Sequence, residues 1–240
     1  MRPSTNLKRE SEPMGHAFES TDEIEVPASV EDVWTAIATG PGIDSWFMGR
    51  NEVANGQVKM AFGGYQPTSE ITASEPLRHF AYNSGEAPDG RFVAYEFLVE
   101  GREHSSTVVR MVTSGFLPGD DWADEFEAMT LGGALFVRTL KEYLHHFAGR
   151  TARPITVFGP MISDWDEAWK KLDEAIAVKL PDAVEFHRNA HTLALRTDKG
   201  MYRFMRGFFG PMIAAHHVFE GDESEQDWQS FLDTTLGEQK

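Results

Sequence analysis

The 240-residue chain has no cysteine. That excludes thiol nucleophiles, thiolate-held metals and disulfide cross-links together, and it fits a reducing compartment. Basic residues are scarce, with 22 Lys and Arg against 38 Asp and Glu, a formal net charge of −16. So acidic a chain repels phosphates, which argues against nucleic acid and an anionic membrane surface as partners. No stretch approaches the ~20 consecutive apolar residues of a membrane helix. The opening "MRPSTNLKRESEP" is polar and lacks the apolar centre of a secretory signal. These absences lead to the expectation of a cytoplasmic protein. The 41% of hydrophobic residues suffices for one large domain, or a standard domain with a smaller one.

Residues 1–20 read as a flexible polar tail. "DEIEVPAS" then reads as a short strand, Ile24 and Val26 alternating with Glu23 and Glu25 until Pro27 ends it. Ser29 and Asp32 have capping-box spacing, and Val30, Val33, Trp34 and Ile37 share one helical face. "TGPG" breaks that helix, and "IDSWF" adds a helical turn bearing Trp46 and Phe47. From Gln57 to Ser114 come "QVKMAF", "TSEITAS", "LRHFAYN", "RFVAYEFLVEG" and "STVVRMVTSGF". Short loops between them imply an antiparallel meander, since parallel strands need crossover helices. Alternation puts Val93, Tyr95, Phe97 and Val99 on one face, taken as inward. In the last of these strands, Val109/Met111 and Val108/Val112 remain alternative inward sets.

A long helix is expected over 122–147. Trp122, Phe126, Met129, Gly133, Phe136, Leu140, Leu144 and Phe147 recur at spacings of three and four as one apolar stripe. Asp120, Asp121, Asp124, Glu125 and Glu127 at its start complement the helix dipole. Leu131 and Leu135 point away from the stripe, which places them beneath the C-terminal segment or in a homodimer contact. Two adjacent glycines, Gly132 and Gly133, interrupt the helix at about 1 kcal/mol each relative to alanine. Either something approaches the helix closely there, or room is wanted there.

Beyond Gly149, "RTARPITVFGP" reads as a linker with two prolines. A second helix follows, capped by Ser163, with Trp165, Trp169, Leu172 and Ile176 on one face. Strand candidates "AVEFH", "TLALRT", "MYRFMR" and "MIAAHHVF" come next, then a last helix in "ESEQDWQSFLDTTL". An acidic loop running into a helix, "VFEGDESEQDW", echoes the earlier "GFLPGDDWADEF" and suggests a degenerate repeat of the first unit.

The element order is that of an α+β protein whose curved antiparallel sheet buries one face against a long helix. The stretches "EIEVPASVEDVWTAI", "GPGIDSWF", "STVVRMVTSGF" and "LGGALFVRTLKEYL", in that order, resemble the SRPBCC (START-like, helix-grip) superfamily. The likeness is greatest to proteins related to the activator of the ninety-kilodalton heat-shock-protein ATPase. It spans roughly Glu23 to Phe147, giving a helix-grip domain over 21–149 and a smaller α+β segment over 150–240. The resemblance implies a hydrophobic cavity, which in relatives holds lipids, polyketides, sterols or hormones. The resemblance also implies a further reading, a protein-interaction module of the co-chaperone kind, although nothing here looks like the separate chaperone-binding domain of eukaryotic activators.

Where this chain has Gly132-Gly133, such relatives commonly read Gly-Trp. Exchanging an indole for a hydrogen on the sheet-facing stripe leaves a void, and an unfilled void of that size costs several kcal/mol. The expected occupant is an apolar small molecule, bound without chemistry by Trp46, Phe62, Tyr82, Tyr95, Phe97, Met111, Met129, Gly133 and Phe136. The alternative is that Tyr95, Phe97 or Trp46 leans into the gap. An enzyme reading, a cyclase, dehydratase or hydrolase of polyketide-like substrates, would draw on Tyr82, Tyr95, His79 or Arg110. No cofactor and no metal site are expected. The histidine pairs 145/146, 187/191 and 216/217 lack carboxylate support in a metal-binding motif, and the last two lie on opposite faces of a strand.

Overall fold

A computed structural model describes residues 15–102, 106–119, 122–207 and 210–237. Residues 1–14 of the expected tail, and Asp120 and Asp121 of the acidic cluster, lie outside the described residues.

The first unit begins with β1 (Gly15–Val26), followed by α1 (Val30–Ala38) and α2 (Gly40–Ile43). A meander follows: β2 (Arg50–Ala54), β3 (Gln57–Ala61), β4 (Thr68–Glu75), β5 (His79–Asn83), β6 (Phe92–Gly101) and β7 (Thr107–Pro118). It ends in α3 (Trp122–His146). The seven strands form one sheet in the order β1-β7-β6-β5-β4-β3-β2, every pair antiparallel. This is the helix-grip arrangement. Phe80, Phe97, Val109 and Met111 point inward, which decides the register of β7 in favour of Val109/Met111. They meet Val33 and Ile37 of α1, Leu140 and Leu144 of α3, and Phe147 just beyond its end.

Three local expectations change. β1 starts at Gly15 rather than Asp22, because residues 15–20 pair with residues 113–118 of β7. The "GPG" expected to interrupt the chain is itself helical. Thr39 caps it, its hydroxyl accepting from the Gly42 amide, and Pro41 sits in the first turn, where its missing N–H is harmless. β2 has no counterpart in the sequence reading, since "RNEVA" alternates too weakly to stand out.

The second unit comprises β8 (Arg153–Met161), α4 (Trp165–Lys179), β9 (Val184–Asn189), β10 (Thr192–Arg196), β11 (Gly200–Arg206), β12 (Pro211–Val218) and α5 (Glu225–Leu236). The stretch expected as a linker is thus strand β8. It is an edge strand, the place in a sheet that tolerates Pro154 and Pro160. Asp164, not Ser163, caps α4, its carboxylate accepting from the Glu167 amide. The sheet order, β8-β12-β11-β10-β9, repeats that of the first unit: the first strand joins the last and a meander fills the remainder. In both units a helix follows the first strand and another ends the unit, α3 over β1 and α5 over β8. The echo in the sequence is therefore matched in topology.

Each unit has its own core, and the two units pack directly against each other. β9 and β10 cover the outer face of α3, where Leu135 is buried and the Asn189 amide donates to the Leu131 carbonyl. Met201 of β11 belongs to the first unit's core, and Phe219 stacks on Phe147 at 4.1 Å. The central strands of sheet two are consequently buried on both faces: β11 and β12 are covered along most of their length, polar Arg203, His216 and His217 included. No helix of the described residues is long and apolar enough to cross a membrane.

Candidate functional site

α3 packs over β1 and β7, and α1 over β6 and β7. This leaves part of the concave face over β3–β6 without a helix. A cavity of about 320 Å³ opens there. Val58 and Met60 of β3, Tyr82 of β5 and Val93 and Tyr95 of β6 form apolar walls. Phe47, Met48 and Asn51, from the segment after α2, close another side. Tyr65, Ser84, Glu86 and Arg91 belong to the loops that line the rest.

Strand alternation explains this composition. Val58 and Met60 are two apart on β3, and Val93 and Tyr95 two apart on β6, so each pair faces one way. The rings of Tyr82 and Tyr95 lie 5.4 Å apart on paired positions of β5 and β6. Among the described residues neither hydroxyl has a hydrogen-bond partner. Burial pushes the Tyr82 phenol far above its ordinary 10, with a smaller contribution from Tyr95. Tyr95 is pushed up to about 12, mainly by burial and secondarily by nearby Tyr65. Both stay protonated at neutral pH and present hydroxyl donors. Asn51 adds an amide whose Oδ1 is buried without a partner, while its Nδ2 donates to Asp44 Oδ1 and the Met48 carbonyl.

Of the residues expected to bind, Tyr82 and Tyr95 line this cavity. Trp46, Phe97 and Met111 are sealed in the core, Trp46 with its indole Nε1 donating to the Ala36 carbonyl at 2.9 Å. Phe136 is half-buried and reaches the cavity only through Phe47, 4.5 Å away between ring centroids. Phe62 turns to Phe158 of the second unit at 5.6 Å. Met129 and Gly133 are half-buried on α3 and outside the cavity lining. A Cβ added to Gly132 or Gly133 would meet no atom within 4 Å among the described residues. The space beside the two glycines is open and uncrowded by Tyr95, Phe97 or Trp46, but it is not part of the cavity, contrary to the expectation of a guest at Gly133.

His79 and Arg110 lie on the other face of the sheet. His79 Nε2 stands 2.8 Å from Glu96 Oε1, and Arg110 pairs with Glu23 at 2.9 Å. Sequence reasoning missed Phe47, Met48, Val58, Met60 and Asn51. The alternation in "QVKMAF" could have found Val58 and Met60; the others sit in a segment without periodicity.

The first unit is thus a helix-grip module with a walled, largely apolar cavity on its concave side. Among solved structures, an Aha1 dimer from Colwellia psychrerythraea aligns over 53% of this chain and 96% of its own, at 23% identity and a TM-score of 0.45. A protein from Mesorhizobium loti aligns over the same shares at 21% identity and TM-score 0.45. One from Bacillus halodurans covers 55% of this chain and 99% of its own, at 20% identity and TM-score 0.46. No family model matches the chain, and no curated protein does.

Proposed function

We propose that the chain binds an apolar small molecule carrying a hydrogen-bond acceptor, in the cavity between β3–β6 and the segment after α2, without chemical conversion. The observation that carries this reading is the pair of neutral, unpartnered hydroxyls of Tyr82 and Tyr95 on a wall they share with Val58, Met60 and Val93. Polar groups so placed orient a guest whose remaining surface is buried. The volume lies at the small end of the ~300–1,000 Å³ typical of such sites.

The enzyme alternative has less support. General acid–base chemistry works best with a group titrating near the operating pH. Both cavity phenols are displaced upward from neutrality, and His79 and Arg110 face elsewhere.

The test is calorimetric titration with 2-acetylnaphthalene, whose carbonyl can accept from the tyrosines. Tyr82→Phe and Tyr95→Phe are expected to weaken binding roughly 2- to 10-fold each, the worth of one ~0.5–1.5 kcal/mol hydrogen bond. Solvent extraction of protein from its own host, followed by mass spectrometry, should then release an apolar compound. Absence of binding to the unmodified protein, together with an empty extract, refutes the proposal.

A further inference from the structure

The segment from Asp44 to Asn51 has two sides. One supplies Phe47, Met48 and Asn51 to the cavity. On the other, the backbone oxygens of Asp44, Trp46 and Phe47 follow a short helix whose final carbonyls lack intrahelical acceptor duty. Buried carbonyls need donors, and the donors they have come from the second unit. Arg203 of β11 donates through Nη1 to the Trp46 oxygen at 3.1 Å and through Nη2 to the Phe47 oxygen at 2.9 Å. His217 of β12 places Nδ1 2.8 Å from the Asp44 oxygen. A carbonyl can only accept, so that nitrogen carries the proton.

Arg203 is fully buried, and among the described residues it has no carboxylate ion-pair partner. Its Nε donates to the Ala215 carbonyl at 2.9 Å, and its guanidinium lies 5.7 Å from the centre of the Phe136 ring, itself against Phe47. Burying a charge without a partner charge is unfavourable. An apolar side chain of similar length would fill the same space without that penalty. What it could not do is hold two successive backbone oxygens in one planar fork.

We infer that the second unit is a clamp on the cavity, and that Arg203 is a positioning residue for ligand binding, acting through the Trp46–Phe47 backbone that carries one wall. This rests on reading the cavity as a binding site.

The experiment combines titration with 2-acetylnaphthalene and spectra of methyl-labelled methionines in the full chain. Met48 and Met60 report on the cavity, and Met212 on the second unit's core. Arg203→Met is expected to shift the Met48 resonance and weaken binding at least about tenfold, the loss of paired hydrogen bonds from a charged donor. Met212 should stay in place. Arg203→Lys should recover part of the affinity. Leu232→Ala, deep in the second core, should lower stability without moving Met48 or the affinity.

An unchanged Met48 resonance and affinity in Arg203→Met would overturn the clamp, as would Leu232→Ala reproducing its effects. If Arg203→Met does not fold, His217→Leu and His217→Asn decide. The first removes the donor to Asp44 and should shift Met48, whereas the second restores a donor near the same place and should not. Identical Met48 resonances in those two variants overturn the inference. If the unmodified protein fails to bind the probe, the binding reading falls, and the Met48 resonance still judges the clamp.

Discussion

Replacing Gly132 and Gly133 by alanine should stabilise the protein. Each glycine sits inside α3, and a Cβ at either position meets no described atom within 4 Å. The substitution therefore brings only the helix-propensity gain, about 1 kcal/mol per site. Together the two give about 2 kcal/mol, which for a chain of this size raises Tm by roughly 4–8 °C. Gly42→Ala is the contrasting control, because its Cβ would collide with the Thr35 carbonyl oxygen. Urea unfolding followed by far-ultraviolet circular dichroism would read both directions in one series. A lowered midpoint for Gly133→Ala would refute the reasoning, since it would mean that a close neighbour, rather than room, explains the glycine.

Met60→Trp should fill the cavity and abolish binding of 2-acetylnaphthalene while leaving the fold intact; retained affinity would move the site elsewhere. Burial, with Arg203 as the second cause, holds His216 and His217 well below their ordinary 6.5. The unfolded chain then takes up protons that the folded one refuses. Stability should be fully present above about pH 6.5 and fall below it, by up to about 1.4 kcal/mol per pH unit per histidine. His217→Asn should make that slope shallower in urea midpoints measured between about pH 5 and 7.5, and an unchanged slope would contradict the assignment. Ser224 and Asp227 form a reciprocal cap on α5, so Ser224→Ala should cost about 1 kcal/mol by thermal melting, and no loss would show the cap to be dispensable.

Periodicity made the first unit legible. The later part of the apolar stripe, Phe136, Leu140, Leu144 and Phe147, and the β6 set Phe97 and Val99 point inward as their spacing requires, because each element buries one face. β8 and β2 were obscured for different reasons. Two prolines disguise an edge strand as a linker, and "RNEVA" is short and mixed in polarity. The cavity was half legible. Tyr82 and Tyr95 follow from alternation, but Phe47, Met48 and Asn51 lie in a stretch whose contacts, Arg203 and His217 on its backbone and Asp44 on Asn51, no local pattern encodes. Arg203 itself sits in "MYRFMR" as an ordinary alternating charge; its burial arises only because a second layer covers that face of the sheet.

The shared strand order has a kinetic consequence. Val26 cannot find its partner Thr107 until almost the whole first unit has been made, and Arg153 must likewise wait for Val218. Sheet closure in each half is therefore a late, long-range event, and slow folding follows from the wiring alone. On the ribosome, strand β1 must remain unpaired while the meander assembles beside it.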